Sequence, residues 1–375
     1  MKNKNKIKVM HIAQAAGGVS RYLQLFFKFS NREKFENILV CSFDYNIEDF
    51  KDDVDIIEQV DMKRSIGVND LRSSLKLRKI IKKYEPDITY AHSSKAGAIV
   101  RIANIGLNNY CIYNPHGWAF NMHGSRKKQC FYVIIERLFA KFTDKIICIS
   151  DSEKKSAIDN GICSEDKIKV IFNGIDIEEK KLVNNKSITR SLLSIPENAF
   201  VVGMVGRISQ QKAPDIFVKA AKLIKTEYPD AYFIIVGDGE QHSEIENLIF
   251  EYGLSGSFLV TGWVENPLEY ICLFDVALLL SRWEGFGLAL AEYMLEGKPI
   301  VATKVDAIPD VVEEKKSGLL VEMDDYEAVF NEVKNIREDK TLAQFLIDNG
   351  LNRVKKQFDA KRVTLETEKL FSKVK

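Results

Sequence analysis

The stretch that decides the fold class is LLSRWEGFGLALAE, residues 279–292. An apolar strand runs into a loop that holds Gly285 and Gly287, and a helix begins near Leu288. Glycines let a backbone approach a ligand closely, and the free N–H groups at a helix start favour a phosphate. This order predicts one strand–loop–helix unit of a parallel α/β sheet, with a ligand at its carboxyl edge.

The same alternation extends along the whole chain. Amphipathic helical patterns of about ten or more residues separate most of the apolar runs, which implies parallel sheets that are covered on both faces. The predicted strands are 7–13, 36–43, 55–60, 87–92, 110–115, 144–150, 168–172, 200–206, 231–237, 257–263, 276–281, 299–303 and 318–322.

The alternation pauses once, over the polar and poorly periodic residues 178–198. A chain of 375 residues suits two domains, and this pause is typical of an interdomain connection. We therefore predict an N-terminal doubly wound domain over 1–178 and a C-terminal one over 179–357. A helix over about 358–375 is expected to pack back on the first. Two such domains would face each other across a cleft, where ligands bind at the sheet edges.

The charge of the chain excludes some partners and suggests others. A net charge of only +1 argues against a nucleic-acid binder. Residues 1–170 carry 29 Lys and Arg against 20 Asp and Glu, which suits an anionic membrane surface or a pyrophosphate-linked acceptor. A solvated lysine-rich surface fits this excess equally well. Because no run approaches the ~20 apolar residues of a membrane span, we expect a cytoplasmic protein, peripheral at the inner face of the cell membrane.

Four charged residues in the second half have the chemistry of a nucleotide-sugar site. Glu284 lies on the glycine loop and Glu292 one turn into the helix, and a carboxylate is a good partner for a vicinal diol. Arg207 ends a strand and Lys212 precedes a helix, so the two cations can clamp a diphosphate. The alternatives are carboxylates that favour the helix dipole and cations in surface salt bridges.

Weaker candidates lie in the first half. Gly17 and Gly18 follow the first strand and open a helix, although they do not make a G-x-G-x-x-G fingerprint. His116 follows a predicted strand and precedes a glycine, which places it at the sheet edge. His92 ends another strand and is a weaker candidate, and His11, His123 and His242 are interpreted as structural. A tight turn without a ligand and a structural histidine are the alternatives.

These motifs resemble the retaining glycosyltransferases of family 4, which have the α/β GT-B fold of two Rossmann-like domains. The resemblance implies that Glu284 contacts the donor sugar, Glu292 holds the ribose hydroxyls, and Arg207 with Lys212 replaces a metal. It further implies that His116 hydrogen-bonds the sugar near the anomeric centre. Other donor contacts implied by the family, several of them through the main chain, are Gly17, Gly18, Asn173, Gly206, Val264, Gly285, Phe286, Gly287 and Leu288.

The sequence thus predicts a metal-independent transferase without a cofactor. It would move a hexosyl or N-acetylhexosaminyl group, with retention, from a nucleoside diphosphate (UDP) to a hydroxyl acceptor. The expected acceptor is a saccharide linked to a polyprenyl diphosphate in surface-polysaccharide synthesis, and the amphipathic segment 126–142 either rests on the membrane or packs on the sheet. One alternative is a nucleotide-sugar epimerase, but neither a G-x-G-x-x-G turn nor a Tyr-x-x-x-Lys pair occurs where that enzyme would need it. The other alternative is a non-catalytic nucleotide-sugar-binding protein.

Overall fold

The computed structural model describes residues 6–14, 17–63, 69–122, 125–178 and 188–374. The chain divides into two compact units. The first consists of Met1–Gly174 with Ala360–Lys375, and the second of Ile175–Asp359. The chain thus passes between units at residues 174–175 and 359–360, a few residues from the boundaries expected at 178 and 357.

The first unit is built on a sheet of seven parallel strands among the described residues, in the order β3-β2-β1-β4-β5-β6-β7. The chain starts in the middle, winds to one edge, and returns past β1 to build the other, as a doubly wound fold requires. The strands are β1 Ile7–Ala13, β2 Phe35–Cys41, β3 Ile56–Gln59, β4 Ile88–His92, β5 Tyr110–Asn114, β6 Lys145–Cys148 and β7 Ile168–Val170.

The second unit repeats this plan with six parallel strands in its described part, in the order β10-β9-β8-β11-β12-β13. All the predicted strands are present, and several end one to three residues early because the chain turns into a loop at the carboxyl edge. These strands are β8 Phe200–Val205, β9 Ala231–Val236, β10 Phe258–Val260, β11 Val276–Leu279, β12 Ile300–Thr303 and β13 Leu319–Val321.

Helices connect the strands and bury their apolar faces against the sheets. Within the described ranges, no helix has both the length and the apolar content to cross a bilayer. The helices are Gly18–Phe29, Asn69–Tyr84, Ser94–Ala103, Arg126–Phe139, Asp151–Asp159, Pro214–Glu227, His242–Glu251, Leu268–Ile271, Leu288–Leu295, Ile308–Val311, Tyr326–Glu338, Lys340–Gln357 and Ala360–Phe371.

The last helix, Ala360–Phe371, packs on Gly18–Phe29 in the first unit. The Phe371 ring is fully buried, with its centroid 6.1 Å from that of Phe26 and 5.9 Å from that of Phe35. Burial of an aromatic ring of this size stabilises a core by about 3–5 kcal/mol relative to alanine. The end of the chain is therefore part of the first core.

Candidate functional site

The predicted glycine loop joins β11 to the helix Leu288–Leu295, which begins at the predicted residue. Gly287 caps this helix with φ 79°, a left-handed conformation that strains other residues. A β-carbon on Gly287 would lie 3.1 Å from side-chain carbons of both Leu279 and Leu290. The turn therefore requires glycine for its backbone angle and for the space around it.

The buried side chain of Phe286 fixes this loop to the interior of the second unit. Its ring is buried and makes an edge-to-face contact with Phe358, with 5.3 Å between ring centroids. The flanking Gly285 and Leu288 are only half-buried. Of the loop residues predicted to contact a donor, Phe286 can therefore offer only main-chain atoms, because its side chain belongs to the core.

Glu284 and Lys212 come together although 72 residues separate them. The Lys212 Nζ and Glu284 Oε2 atoms form a close ion pair, with the two side chains only 16% and 10% exposed. Ser281 Oγ donates to the same carboxylate oxygen at 3.1 Å, and the Glu284 N–H donates to Asp306 Oδ2 at 2.9 Å. The structure thus places two of the predicted residues in one partly buried polar cluster.

Arg207 follows β8 and Gly206, and its side chain is exposed. Among the described residues no carboxylate pairs with it, so the alternative of a surface salt bridge does not hold for Arg207. A β-carbon on Gly237 would lie 2.1 Å from the Gly206 carbonyl oxygen, so only glycine permits the end of β9 to approach here. An unpaired guanidinium on a turn beside Lys212 is available for an anion.

Arg282, which is not among the predicted site residues, joins the two loops. Its guanidinium donates to Asp324 Oδ1 at 2.7 Å, to Asp215 Oδ2 at 2.8 Å and to the Gln210 carbonyl at 2.9 Å. The Arg282 N–H donates to the Gln211 carbonyl at 2.8 Å. Arg282 therefore holds the loop that carries Glu284 against the loop that carries Lys212. No local pattern predicts this role, because its carboxylate partners lie 42 and 67 residues away.

Tyr293 stabilises the same sheet edge from within the helix Leu288–Leu295. Its buried hydroxyl accepts from the Val205 N–H at 2.7 Å and donates to the Leu278 carbonyl at 3.2 Å. It thereby satisfies main-chain groups at the ends of β8 and β11. The helical pattern of the sequence shows Tyr293 only as a core residue.

The remaining predicted residues of the second unit lie near strand and helix ends. Glu292 is half-buried, on the second turn of the helix Leu288–Leu295. Val264 is half-buried in the loop after β10, next to Trp263, whose side chain is 77% exposed. An indole exposed to this degree offers an apolar and aromatic surface next to Val264.

In the first unit, Gly17 and Gly18 form an open helix start. Gly17 caps the helix Gly18–Phe29 with φ 95°, and both glycines are exposed. A β-carbon added to either would meet no atom within 4 Å. Asn173, at the end of this unit, is buried, and its Oδ1 accepts no hydrogen bond from the described residues.

His116 occupies a constrained turn after β5. Its backbone is left-handed, with φ 50°, and its N–H donates to Asn114 Oδ1 at 2.9 Å. The next residue, Gly117, donates its N–H to Glu153 Oε1 at 2.7 Å. Burial lowers the pKa of His116 from 6.5 to about 3, so the imidazole is neutral at physiological pH.

Glu153, in the first unit, is a second residue that is not among the predicted site residues. Ser150 caps the helix Asp151–Asp159, since its Oγ accepts from the Glu153 N–H at 3.0 Å. The Glu153 carboxylate also accepts from the N–H groups of Gly117 and Ile149, both at 2.7 Å. Burial raises the pKa of Glu153 from 4.5 to about 7, against the lowering effect of these hydrogen bonds. Glu153 thus holds the turn that carries His116.

The other histidines differ in their surroundings. His92 is fully buried, with Nδ1 3.1 Å from His116 Nε2. His11 is also buried, with Nδ1 3.2 Å from His92 Nε2. His242 Nδ1 lies 2.7 Å from Asp238 Oδ1, in the first turn of the helix His242–Glu251. His123 lies outside the described residues.

Two doubly wound units with glycine turns and cations at strand ends are typical of α/β proteins that bind nucleotides at the sheet edge. Sequence profiles narrow this class. The profile of "Glycosyltransferase Family 4" matches residues 16–179, and that of "Glycosyl transferases group 1" matches residues 185–353. Together they span most of the chain, which therefore belongs to the family 4 glycosyltransferases.

Individual relatives agree with this family. The chain is 31% identical to the UDP-Gal:alpha-D-GlcNAc-diphosphoundecaprenol alpha-1,3-galactosyltransferase of Escherichia coli, over 94% of this chain and 95% of that one. It is 27% identical to the capsular polysaccharide biosynthesis glycosyltransferase CapM of Staphylococcus aureus, over 85% and 86% of the two chains. The crystal structure of Anabaena HepE with UDP and glucose superposes with a TM-score of 0.84 at 22% identity, covering 98% and 100%. The fold is GT-B, and the chain is a glycosyltransferase.

Proposed function

We propose that this glycosyltransferase moves a hexosyl or N-acetylhexosaminyl group from UDP to a hydroxyl acceptor, with retention and without a metal. The observation that carries the proposal is the polar cluster of the second unit, where Lys212 pairs with Glu284. Arg207, which has no carboxylate partner in the part of the chain that the structure describes, lies on the loop that precedes Lys212. Two cations and an oriented carboxylate are the groups needed to hold a diphosphate and a sugar.

The cations would supply most of the catalysis. Negative charge develops on the diphosphate as its bond to the sugar breaks, and fixed cations stabilise that charge without reorganising at the moment of reaction. Arg207 binds the diphosphate oxygens, and Lys212 divides its hydrogen bonds between the diphosphate and Glu284. The Arg282 guanidinium already donates to Asp215 and Asp324, so we assign it to holding the loops of Lys212 and Glu284 in place and not to binding the substrate.

Retention follows from the order of bond changes that we propose. The sugar–phosphate bond breaks while the acceptor oxygen approaches from the same face, and the leaving phosphate oxygen takes the acceptor proton. No residue of the cluster is assigned as a covalent nucleophile, because Glu284 is held by Lys212 and Ser281. Neutral His116 hydrogen-bonds a hydroxyl of the donor sugar, and Glu292 holds the ribose.

The relatives support the identity of the substrates. The Escherichia coli enzyme is named for UDP-Gal and for an acceptor linked to diphosphoundecaprenol, and HepE crystallised with UDP and glucose. CapM is named for capsular polysaccharide biosynthesis. We therefore propose a UDP-linked donor and a saccharide acceptor linked to a polyprenyl diphosphate.

A lipid-linked acceptor requires contact with a membrane, and the helix Arg126–Phe139 suits it. Phe131, Ile134 and Leu138 lie three and four residues apart, and more than half of each side chain is exposed. The first turn, Arg126 to Lys128, is basic and exposed. One face of this helix packs on the first unit, through Tyr132, Val133 and the buried Glu136, as one of the two interpretations of the segment expected. The opposite face carries an exposed apolar stripe next to basic residues, which is typical of a helix that lies in an anionic interface. We propose that the protein is cytoplasmic and binds this surface peripherally.

The transferase proposal is tested by incubating the enzyme with a panel of nucleotide sugars and a short polyprenyl-diphosphate GlcNAc acceptor. We expect UDP release and a longer acceptor with one UDP-sugar, unchanged by EDTA, and an α product from an α donor by NMR. Conversion of the donor into its epimer would support the epimerase alternative. Binding without UDP release from any donor would support the non-catalytic one.

The membrane proposal is tested by co-sedimentation with vesicles. A Phe131→Ser, Leu138→Ser double variant should lose binding to phosphatidylglycerol vesicles while keeping the fold. Phe250→Ser is the matched control, because Phe250 is 77% exposed on a helix of the second unit. Equal binding by all three proteins would contradict the assignment of this helix.

A further inference from the structure

A row of buried polar side chains continues from His116 into the interior of the first unit. His92 bridges His116 and His11 through its two ring nitrogens, at 3.1 and 3.2 Å. His92 ends β4, and His11 lies in the adjacent strand β1, where Ala13 pairs with His92. The three imidazoles form one hydrogen-bonded row, of which the proposed transfer uses only the first.

The row has two possible proton orders, because each neutral imidazole donates one hydrogen bond and accepts one. Burial lowers the pKa of His11 and of His116 to about 3, and that of His92 also, so all three rings are neutral. In the first order each ring donates towards His116: His92 Nδ1–H donates to His116 Nε2, and His116 carries its own proton on Nδ1. In the second order each ring donates towards His11: His116 Nε2–H donates to His92, and His116 Nδ1 is left as an acceptor.

The inner end of the row decides between these orders. His11 Nε2 and Asn37 Oδ1 are both buried, and neither makes a hydrogen bond with any of the described residues. Asn37 pairs with Val9 in the sheet, so its side chain and that of His11 share one face, two residues apart along β1. The nearby Asn37 side chain raises the pKa of His11, against the larger effect of burial, as an acceptor facing the ring does.

A carboxylate orients Asn37. Asn37 Nδ2 donates to Ser30 Oγ at 2.9 Å, and Ser30 Oγ donates to Glu368 Oε1 at 2.9 Å. Glu368 Oε1 also accepts from the Asn31 N–H at 2.7 Å, so this oxygen is an acceptor, the Ser30 proton points at it, and Ser30 Oγ accepts from Asn37. Asn37 Oδ1 is then the acceptor left for His11, and a proton on His11 Nε2 would pair these two unsatisfied atoms. Glu368 thus sets the direction of the whole row.

We propose that this row, anchored at Glu368 in the last helix, holds His116 as the Nε2–H tautomer with Nδ1 free to accept. His92 and His11 are then positioning residues, and His116 selects a donor sugar that presents a hydroxyl proton to Nδ1. A sugar with a carbonyl or carboxylate oxygen there would meet a lone pair and bind poorly. The selection step rests on the proposed role of His116, whereas the tautomer does not.

The tautomer is measured by NMR on protein labelled with ¹⁵N in the histidine rings, without donor. Protonated and unprotonated ring nitrogens differ widely in ¹⁵N shift, and the signals lost in His116→Asn assign that ring. We expect a protonated Nε2 and an unprotonated Nδ1. Asn37→Leu should add the Nδ1–H form, whereas Asn104→Leu, which removes another buried amide, should not. A protonated Nδ1 in the native protein would overturn the proposal.

Kinetics test the positioning role separately. His92→Phe keeps a ring without hydrogen bonds, and we expect kcat to fall about tenfold or more, as for the loss of other supporting partners. His92→Gln keeps one acceptor and one donor and should stay within about threefold of the native kcat. Equal losses in both variants, in proportion to their loss of thermal stability, would refute the positioning role. If the protein shows the expected tautomer but transfers no sugar, the proposed function is refuted and the proposal about the tautomer stands.

Discussion

At the scale of single residues, Lys212 carries the strongest prediction. It is the one predicted cation that contacts a predicted carboxylate, Glu284. Lys212→Met should lower kcat about 100- to 1,000-fold, as the loss of one fixed electrostatic donor does, with a smaller change in donor KM. Lys222→Met is the matched control, because Lys222 lies exposed on the adjacent helix Pro214–Glu227 and donates to the Tyr252 carbonyl. Native turnover of Lys212→Met in the UDP-release assay would exclude the assigned role.

Glu153 predicts the pH dependence of the reaction. With its pKa near 7, Glu153 is ionised above pH 7 and accepts from both Gly117 and Ile149. Protonation below pH 7 removes one of these acceptors and loosens the turn of His116. We expect kcat to fall as the pH is lowered through about 7, and Glu153→Gln to give a lower but flatter profile over pH 5.5–8.5. An identical profile for the variant would contradict this assignment.

His11 and His116 predict how stability depends on pH. Their pKa values are lowered in the folded state, so between about pH 3 and 6.5 the unfolded chain binds more protons. Stability should therefore fall as the pH drops from 6.5 towards 3, by about 1.4 kcal/mol for each unit of pKa shift that is crossed. Because its pKa is raised, Glu153 changes stability in the opposite direction between about pH 4.5 and 7, but its effect is smaller than that of the two histidines. Urea midpoints at several pH values measure this slope, which should be shallower in His116→Asn.

At the scale of elements, the loop before the helix Leu288–Leu295 depends on Gly287. Gly287→Ala places a β-carbon 3.1 Å from Leu279 and Leu290 and adds about 1–2 kcal/mol of left-handed strain. Because the same loop carries Glu284, we expect kcat/KM to fall at least about tenfold. Gly253→Ala is the control: φ is 69° there, but no atom lies within 4 Å of the added carbon. Similar kinetic losses in both variants would show that strain alone explains the effect.

At the scale of the whole molecule, the last helix should contribute to the stability of the first unit. Phe371 is fully buried against Phe26 and Phe35, so Phe371→Ala should cost about 3–5 kcal/mol in free energy of unfolding. Leu365→Ala, on the same helix at 45% exposure, should cost far less. Denaturant unfolding compares the two, and equal costs would show that this helix does not complete the first core.

The amino-acid sequence by itself determined the two α/β units, the positions of their strands and the helix that begins at Leu288. It also determined the glycine-containing turns at 17–18 and 285–287 that resemble the family. These features depend on hydrophobic period and turn chemistry, which neighbouring residues encode. Only the tertiary structure decided that Arg282 joins the loops of Lys212 and Glu284, that Phe286 is a core residue, and that three histidines form a row. His11 and His92 are 81 residues apart, and only the register of parallel strands brings their rings together. Such contacts depend on strand order and side-chain direction, which no local pattern specifies.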